Sequence, residues 1–190
     1  MDLHAAQIQG YFDIPVDHLE SSSIFIPYIE SLNLENLTFA APDVGSANRI
    51  REIASYFEVE MVICDKHRKR ANEIASMVVI GDVADRDIVL IDDICDTGGT
   101  LVKSAALLKE KGARSVRALI THPVLSGKAY ENIENSVLEE LVVCDTIPMK
   151  QESSKIKVQS VSDLFAVALR NAFENKSITS LFMHSQRRNK

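Results

Sequence analysis

The segment Asp96-Thr97-Gly98-Gly99-Thr100 follows an apolar run that closes on two acids, Asp92 and Asp93. Glycines at this spacing let successive backbone N–H groups face outward, and the two threonine hydroxyls add further donors. A helix that starts at about Gly99–Thr100 directs the positive end of its dipole at the same point. Together these make a cradle for a phosphate group. Two carboxylates cannot serve the phosphate itself, because like charges repel. They suit the hydroxyls of a sugar, or a magnesium ion, beside it. A phosphorylated sugar meets all of these demands. The plainer alternative is a capped turn, with Asp96 or Thr97 as N-cap and Gly98 and Gly99 as turn residues. The hydrophobic strand before the loop, the helix after it and the paired acids favour a ligand.

Two further places carry chemistry. Asp43 follows Pro42 in PDVGSANR, residues 42–49. It can ligate a hard cation or cap the helix that begins near residue 46, and the roles are compatible. The basic run in DKHRKRANE, residues 65–73, would ordinarily be a solvated patch. Here it lies between two strands of an acidic chain, which suits a phosphate clamp built on Lys66 and Arg68. His4 stands alone, and His18, His67, His122 and His184 show no metal-ligand spacing. Cys64, Cys95 and Cys144 share no C-x-x-C spacing and read as reduced, buried thiols.

The elements that must position these groups alternate along the chain. Strands are expected at 37–43, 59–65, 77–82, 87–93, 115–122 and 138–145. Helices are expected at 48–57, 101–113 (closed by Gly112), 128–136 and 163–173, the last capped by Ser162. Leu164, Phe165, Ala168, Ala172 and Phe173 share one face of that last helix, and the Leu and Phe faces of the helices are expected to be core. The strands are continuously apolar, so both faces of the sheet should be covered. Strand–helix alternation makes the class α/β, a largely parallel sheet flanked by helices. Residues 5–20 read as irregular, 149–157 as an exposed loop, and MDLH as the end of a strand whose beginning is absent. A chain of 190 residues that is 46% hydrophobic supports one domain with a substantial core. A formal charge of −6 argues against a general nucleic-acid binder. No apolar run is long enough for a transmembrane helix, and the first ten residues lack a signal-peptide plan. The expected setting is cytoplasmic.

The loop at 92–100 resembles the ribose-5-phosphate and phosphoribosyl pyrophosphate loop shared by phosphoribosyltransferases and ribose-phosphate pyrophosphokinases. Four other segments resemble the pyrophosphokinase family: MDLHAAQIQGYFDIPVDHL (1–19), PDVGSANR, the K-x-R-x-x-x-N spacing at Lys66, Arg68 and Asn72, and SITSLF (177–182). The resemblance implies a type I phosphoribosyltransferase-like fold and transfer of a diphosphoryl group from ATP to ribose 5-phosphate. It implies that Asp92, Asp93, Asp96, Thr97, Gly98, Gly99 and Thr100 bind ribose 5-phosphate. Lys66 and Arg68 would act in catalysis from that family's mobile loop, and His4 and Asp43 would lie at Mg2+ and the ATP phosphates. Gln9, Asp17, Ser177 and Thr179 match an effector site for phosphate or nucleoside diphosphates at a subunit interface. Thr179 keeps a hydroxyl that serine usually supplies. The resemblance also implies a homo-oligomer, a hexamer in the family.

By the same resemblance residues 1–20 form an interdomain segment, 21–174 the sugar-phosphate domain and 175–190 a C-terminal tail. The family's N-terminal domain has no counterpart here, so the chain is expected to be the C-terminal portion of such an enzyme. Two departures stand out. TGGT replaces the usual T-A-G-T, and Gly45-Ser46 replaces Gly-Gly, which would strain Ser46 if the turn required φ > 0. The alternatives are a phosphoribosyltransferase that consumes phosphoribosyl pyrophosphate, which TGGT favours, and a non-catalytic regulatory subunit.

Overall fold

A strand that is apolar at every position must be covered on both faces, and the centre of the sheet is built from such strands. The computed structural model describes residues 1–67 and 76–182. Its strands are β1 (Leu37–Ala41), β2 (Met61–His67), β3 (Ser76–Ile80), β4 (Asp87–Cys95), β5 (Ser115–Pro123), β6 (Leu141–Cys144) and β7 (Ile156–Gln159). They form one seven-stranded sheet in the order β3-β2-β1-β4-β5-β6-β7. The pairs β1–β2, β1–β4, β4–β5 and β5–β6 are parallel, and β2–β3 is antiparallel. The helices are α1 (Ser22–Ser31), α2 (Ala47–Tyr56), α3 (Gly99–Glu110), α4 (Ala129–Glu134) and α5 (Ser162–Phe173).

The chain divides into two compact units. One is Leu34–Val158; the other joins Met1–Asn33 to Gln159–Lys190. The core of the first lies against the sheet, where Ile88, Leu90, Leu108, Ala118 and Ile120 are fully or almost fully buried. Burial of each of the isoleucine and leucine side chains contributes about 1.5–3 kcal/mol. The core of the second includes Phe25, Ile26 and Ile29 on α1.

Parallel pairing places the carboxyl ends of β1, β4, β5 and β6 on one edge of the sheet, and the loops that follow them emerge together there. α3 ends where the sequence places its stop: Gly112 adopts φ 98, and the Ala113 N–H donates to Leu108 O.

Several sequence expectations are corrected. The strand expected at 87–93 continues to Cys95, so Asp92 and Asp93 stand within β4 rather than at its tip. β2 runs on through Lys66 and His67, so the basic segment begins in strand. The expected strand at 138–145 pairs only over Leu141–Cys144. The exposed loop at 149–157 gives way at Ile156 to an edge strand, whose approach is fixed by the Leu141 N–H donating to Lys155 O. α1 forms although Pro27 lies inside it, because its apolar residues Phe25, Ile26 and Ile29 are buried. Met1–Leu3 form no strand. Instead buried Asp2, at φ 37, donates its N–H to Leu19 O and accepts from the Ser21 N–H, and the Leu3 N–H donates to His18 Nε2. Ser162 does not cap α5; its N–H donates to the Ser160 hydroxyl. No residue of α5 is buried, and Phe173 is 88% exposed, so its apolar face is not core among the described residues. Periodicity identifies such a face without identifying what covers it.

Candidate functional site

β4 hands over to α3 through three residues, and their conformations decide what the turn can bind. Gly98 is the N-cap of α3 at φ 70, a left-handed conformation that glycine adopts without a Cβ penalty. No side chain caps the helix, so the capped-turn alternative does not form. The Asp96 carboxylate accepts from the Ser126 hydroxyl, while Thr97 O accepts from Asn132 Nδ2 at 3.0 Å. The Leu125 N–H donates to Cys95 O at 3.1 Å, and the Ser126 N–H donates to Asp96 O at 3.0 Å. Gly98 O accepts the Val102 N–H as α3 begins. The first amides of a helix have no intrahelical acceptor, and here they open toward the carboxyl edge of the sheet.

The two acids precede this loop. Asp93 is buried, and Asp92 is half-buried with its Oδ1 accepting the Asp93 N–H at 2.9 Å. Burial pushes the Asp92 carboxyl up to about 7, with repulsion from Asp93 and Asp43 adding to it and the Asp93 N–H opposing. Asp43, on the loop after β1, therefore lies within the electrostatic reach of Asp92. Arg49 of α2 supplies a counter-charge, its guanidinium 3.7 Å from the Asp93 carboxylate. Asp43 is exposed and accepts from the Ser46 N–H at 3.0 Å, but α2 begins at Ala47 and no side chain caps it, so the capping role that the sequence offered does not form. Ser46 adopts φ −80, and its substitution for glycine carries no backbone strain. Among the described residues no trio of His, Cys, Asp or Glu side chains is placed to hold a metal. Magnesium commonly takes only one or two protein carboxylates and completes its shell with water and substrate phosphates, a pattern that Asp43 fits.

All three cysteines are buried and free. Burial and the nearby Asp92 push the Cys95 thiol up to about 11, so it is an inert neighbour of the loop and not a nucleophile.

The remaining sequence candidates are placed less closely. The Lys66 backbone lies in β2, paired with Met77. Arg68 and Asn72 lie outside the described residues. His4 and Asp17 are exposed, and Gln9 Nε2 donates to Ala6 O within a 3₁₀ turn. The Ser177 hydroxyl donates to Thr179 Oγ1 at 2.8 Å and accepts from the Thr179 N–H. Sequence reasoning gave no role to Arg49, Ser126 or Asn132. Arg49 was visible as a cation one helical turn beyond the Asp43 loop. Ser126 and Asn132 gave no local signal, because the parallel pairing of β4 with β5 is what brings them to the loop.

A seven-stranded, mostly parallel sheet with a glycine turn between β4 and α3 is a type I phosphoribosyltransferase-like architecture. The model of the phosphoribosyl synthetase-associated domain matches residues 43–183, and the chain belongs to that family. Ribose-phosphate pyrophosphokinase from Campylobacter jejuni is 52% identical over 183 residues, covering 96% of this chain and 59% of that protein. The protein of the same name from Wolinella succinogenes is 53% identical at the same coverage. The crystal structure of phosphoribosylpyrophosphate synthetase from Mycobacterium smegmatis superimposes with a TM-score of 0.84 at 33% identity, covering 92% of this chain and 57% of that one. The chain thus spans somewhat under three-fifths of the length of these relatives.

Proposed function

We propose that this chain carries the sugar-phosphate half of a ribose-phosphate diphosphokinase. In this reaction the anomeric oxygen of ribose 5-phosphate attacks the β-phosphorus of ATP. The bond from that phosphorus to the α-phosphate oxygen breaks, and phosphoribosyl pyrophosphate and AMP are formed. The observation that carries the reading is the 52% identity to a ribose-phosphate pyrophosphokinase across 96% of the chain, including the whole Asp92–Thr100 segment within the matched family domain.

The roles follow from phosphoryl-transfer physics, in which positioning and charge neutralisation dominate. The amides and hydroxyls of Thr97, Gly98, Gly99 and Thr100 hold the 5-phosphate. Asp92 and Asp93 accept hydrogen bonds from ribose hydroxyls and so aim the anomeric oxygen. Arg49 keeps the Asp93 carboxylate in place before the sugar arrives. Asp43 is assigned to the ATP phosphates, and so, on the family resemblance alone, is His4. Bound Mg2+ would supply neutralisation of those phosphates. Lys66 and Arg68 are assigned to the β- and γ-phosphates, where a point charge and a planar fork do different work. Gln9, Asp17, Ser177 and Thr179 are assigned to an effector site for phosphate or nucleoside diphosphates. A cytoplasmic homo-oligomer completes the reading. No helix among the described residues is long and apolar enough to cross a membrane.

The test is incubation with ATP, ribose 5-phosphate and Mg2+, with AMP and phosphoribosyl pyrophosphate measured as products, beside calorimetry with ribose 5-phosphate alone. Stoichiometric AMP and phosphoribosyl pyrophosphate support the full reading. Binding without turnover supports the sugar-phosphate half alone. Absence of both contradicts it.

A further inference from the structure

The loop that would hold the 5-phosphate is itself held from behind. Three consecutive carbonyls, those of Cys95, Asp96 and Thr97, accept from the Leu125 N–H, the Ser126 N–H and Asn132 Nδ2. An anion site needs its carbonyls turned away and its amides turned in, because a carbonyl oxygen repels the ligand that an N–H attracts. The segment after β5 supplies the partners that turn them away.

Ser126 has a second task. Its hydroxyl donates to the Asp96 carboxylate. An aspartate at this position can instead fold onto amides two residues further along its own loop, as in an Asx-turn. It would then occupy the donors meant for the ligand and set a negative charge among them. The Ser126 hydroxyl keeps it outside. The conformation that delivers Ser126 is unusual: Leu125 is buried at φ 45 and Gly127 follows at φ 57. A buried leucine in the left-handed region persists only where its surroundings fix it, and such strain gathers at functional sites.

We propose that Ser126, seconded by Asn132, is a positioning residue for the phosphate loop. It acts through Asp96 by holding that carboxylate away from the 97–100 amides. This rests on the assignment of the loop to ribose 5-phosphate, and it adds two residues that touch neither the sugar nor the phosphate.

The test uses the intact chain and Ser126→Ala, Ser126→Thr and Asn132→Ala. Ribose 5-phosphate affinity is measured by calorimetry, and amide exchange at residues 97–100 is measured without ligand. Ser126→Ala should weaken ribose 5-phosphate binding by about tenfold, the loss expected for one hydrogen bond to a charged group. Ser126→Thr, which keeps the hydroxyl, should restore it. Asn132→Ala should weaken binding less and, by freeing Thr97 O, speed amide exchange at 97–100, whereas in Ser126→Ala the Asp96 carboxylate folds onto these amides and should slow their exchange. Parental affinity in Ser126→Ala, or a loss that Ser126→Thr does not recover, overturns the proposal. If the parent does not bind ribose 5-phosphate, the sugar-phosphate reading fails by itself. Exchange then decides the positioning role: slower exchange at 97–100 in Ser126→Ala upholds it, and parental or faster exchange overturns it. If Ser126→Ala does not fold, Asn132→Ala decides by the same two measurements, with parental values in both overturning it.

Discussion

Arg49 on α2 and Asp93 on β4 face each other at 3.7 Å, one on the helix that follows β1 and the other on the strand beside β1. The pair joins the helix after the Asp43 loop to the strand carrying Asp92 and Asp93. The Asp93 side chain is only 9% exposed, so loss of Arg49 removes a counter-charge from a carboxylate with little solvent. Arg49→Met should cost on the order of 2 kcal/mol, below the range for a fully buried pair because Arg49 is one-third exposed. Urea denaturation at neutral pH measures it. Adding Asp93→Asn should recover part of the loss, the sign expected of a coupled pair. Equal additive losses in the double variant would show that the two side chains do not interact.

Asp92 predicts a pH dependence of the opposite sense to an ordinary salt-bridged carboxylate. Its folded value of about 7 lies above the unfolded 3.8, so between those values the native state holds more protons than the unfolded state. The contribution is fully present below the unfolded value and is lost as pH rises through the folded one. Asp92→Asn should therefore gain on the parent from pH 4 to pH 7. Urea midpoints of both proteins across that range check the sign, and carboxyl carbon shifts check the titration directly.

Asp87 behaves the other way. It accepts hydrogen bonds from Arg114 and Ser115, and the Arg114 guanidinium beside it holds it down to about 2. Its stabilisation is present above the usual carboxylate value of 3.8 and is lost as pH falls through about 2. Asp87 sits five residues before Asp92, roughly 17 Å along the strand. Asp87→Ala should lower stability by about 2 kcal/mol and leave ribose 5-phosphate affinity unchanged. A change in that affinity would show that the two ends of β4 are not independent.

Gly98→Ala separates conformation from space. The added Cβ would meet Ile133 Cγ1 at 3.7 Å and Ala129 O at 3.8 Å, both ordinary contacts, so no clash is expected. What remains is the cost of holding alanine at φ 70, about 1–2 kcal/mol. The variant should fold, melt at a lower temperature and bind ribose 5-phosphate more weakly. Unchanged thermal stability would mean that the loop takes another conformation.

The strand, the glycine turn and the helix that frame this candidate site could be read from the sequence because their signals are local. Apolar runs flanked by acids and glycines mark β4 and its exit, and Gly112 marks the end of α3. The unread parts depend on contacts distant in sequence. The antiparallel course of β3 and the late edge strand β7 are set by pairing; β7 carries Lys157 between Ile156 and Val158 and buries nothing fully. α1 was hidden by Pro27, whose helix penalty is overcome by burial of Phe25 and Ile29. The grip of Ser126 on Asp96 spans thirty residues of sequence, a separation that no periodicity encodes.

The central claim is that the amides between β4 and α3 receive the phosphate of a sugar monophosphate. The most direct measurement is titration of the 15N-labelled chain with ribose 5-phosphate, following the Thr97, Gly98, Gly99 and Thr100 amides. The account predicts saturable shifts centred on these four, with ribose lacking the phosphate failing to reproduce them. Amides that stay unmoved at saturating ligand, or shifts confined to another part of the chain, would contradict it.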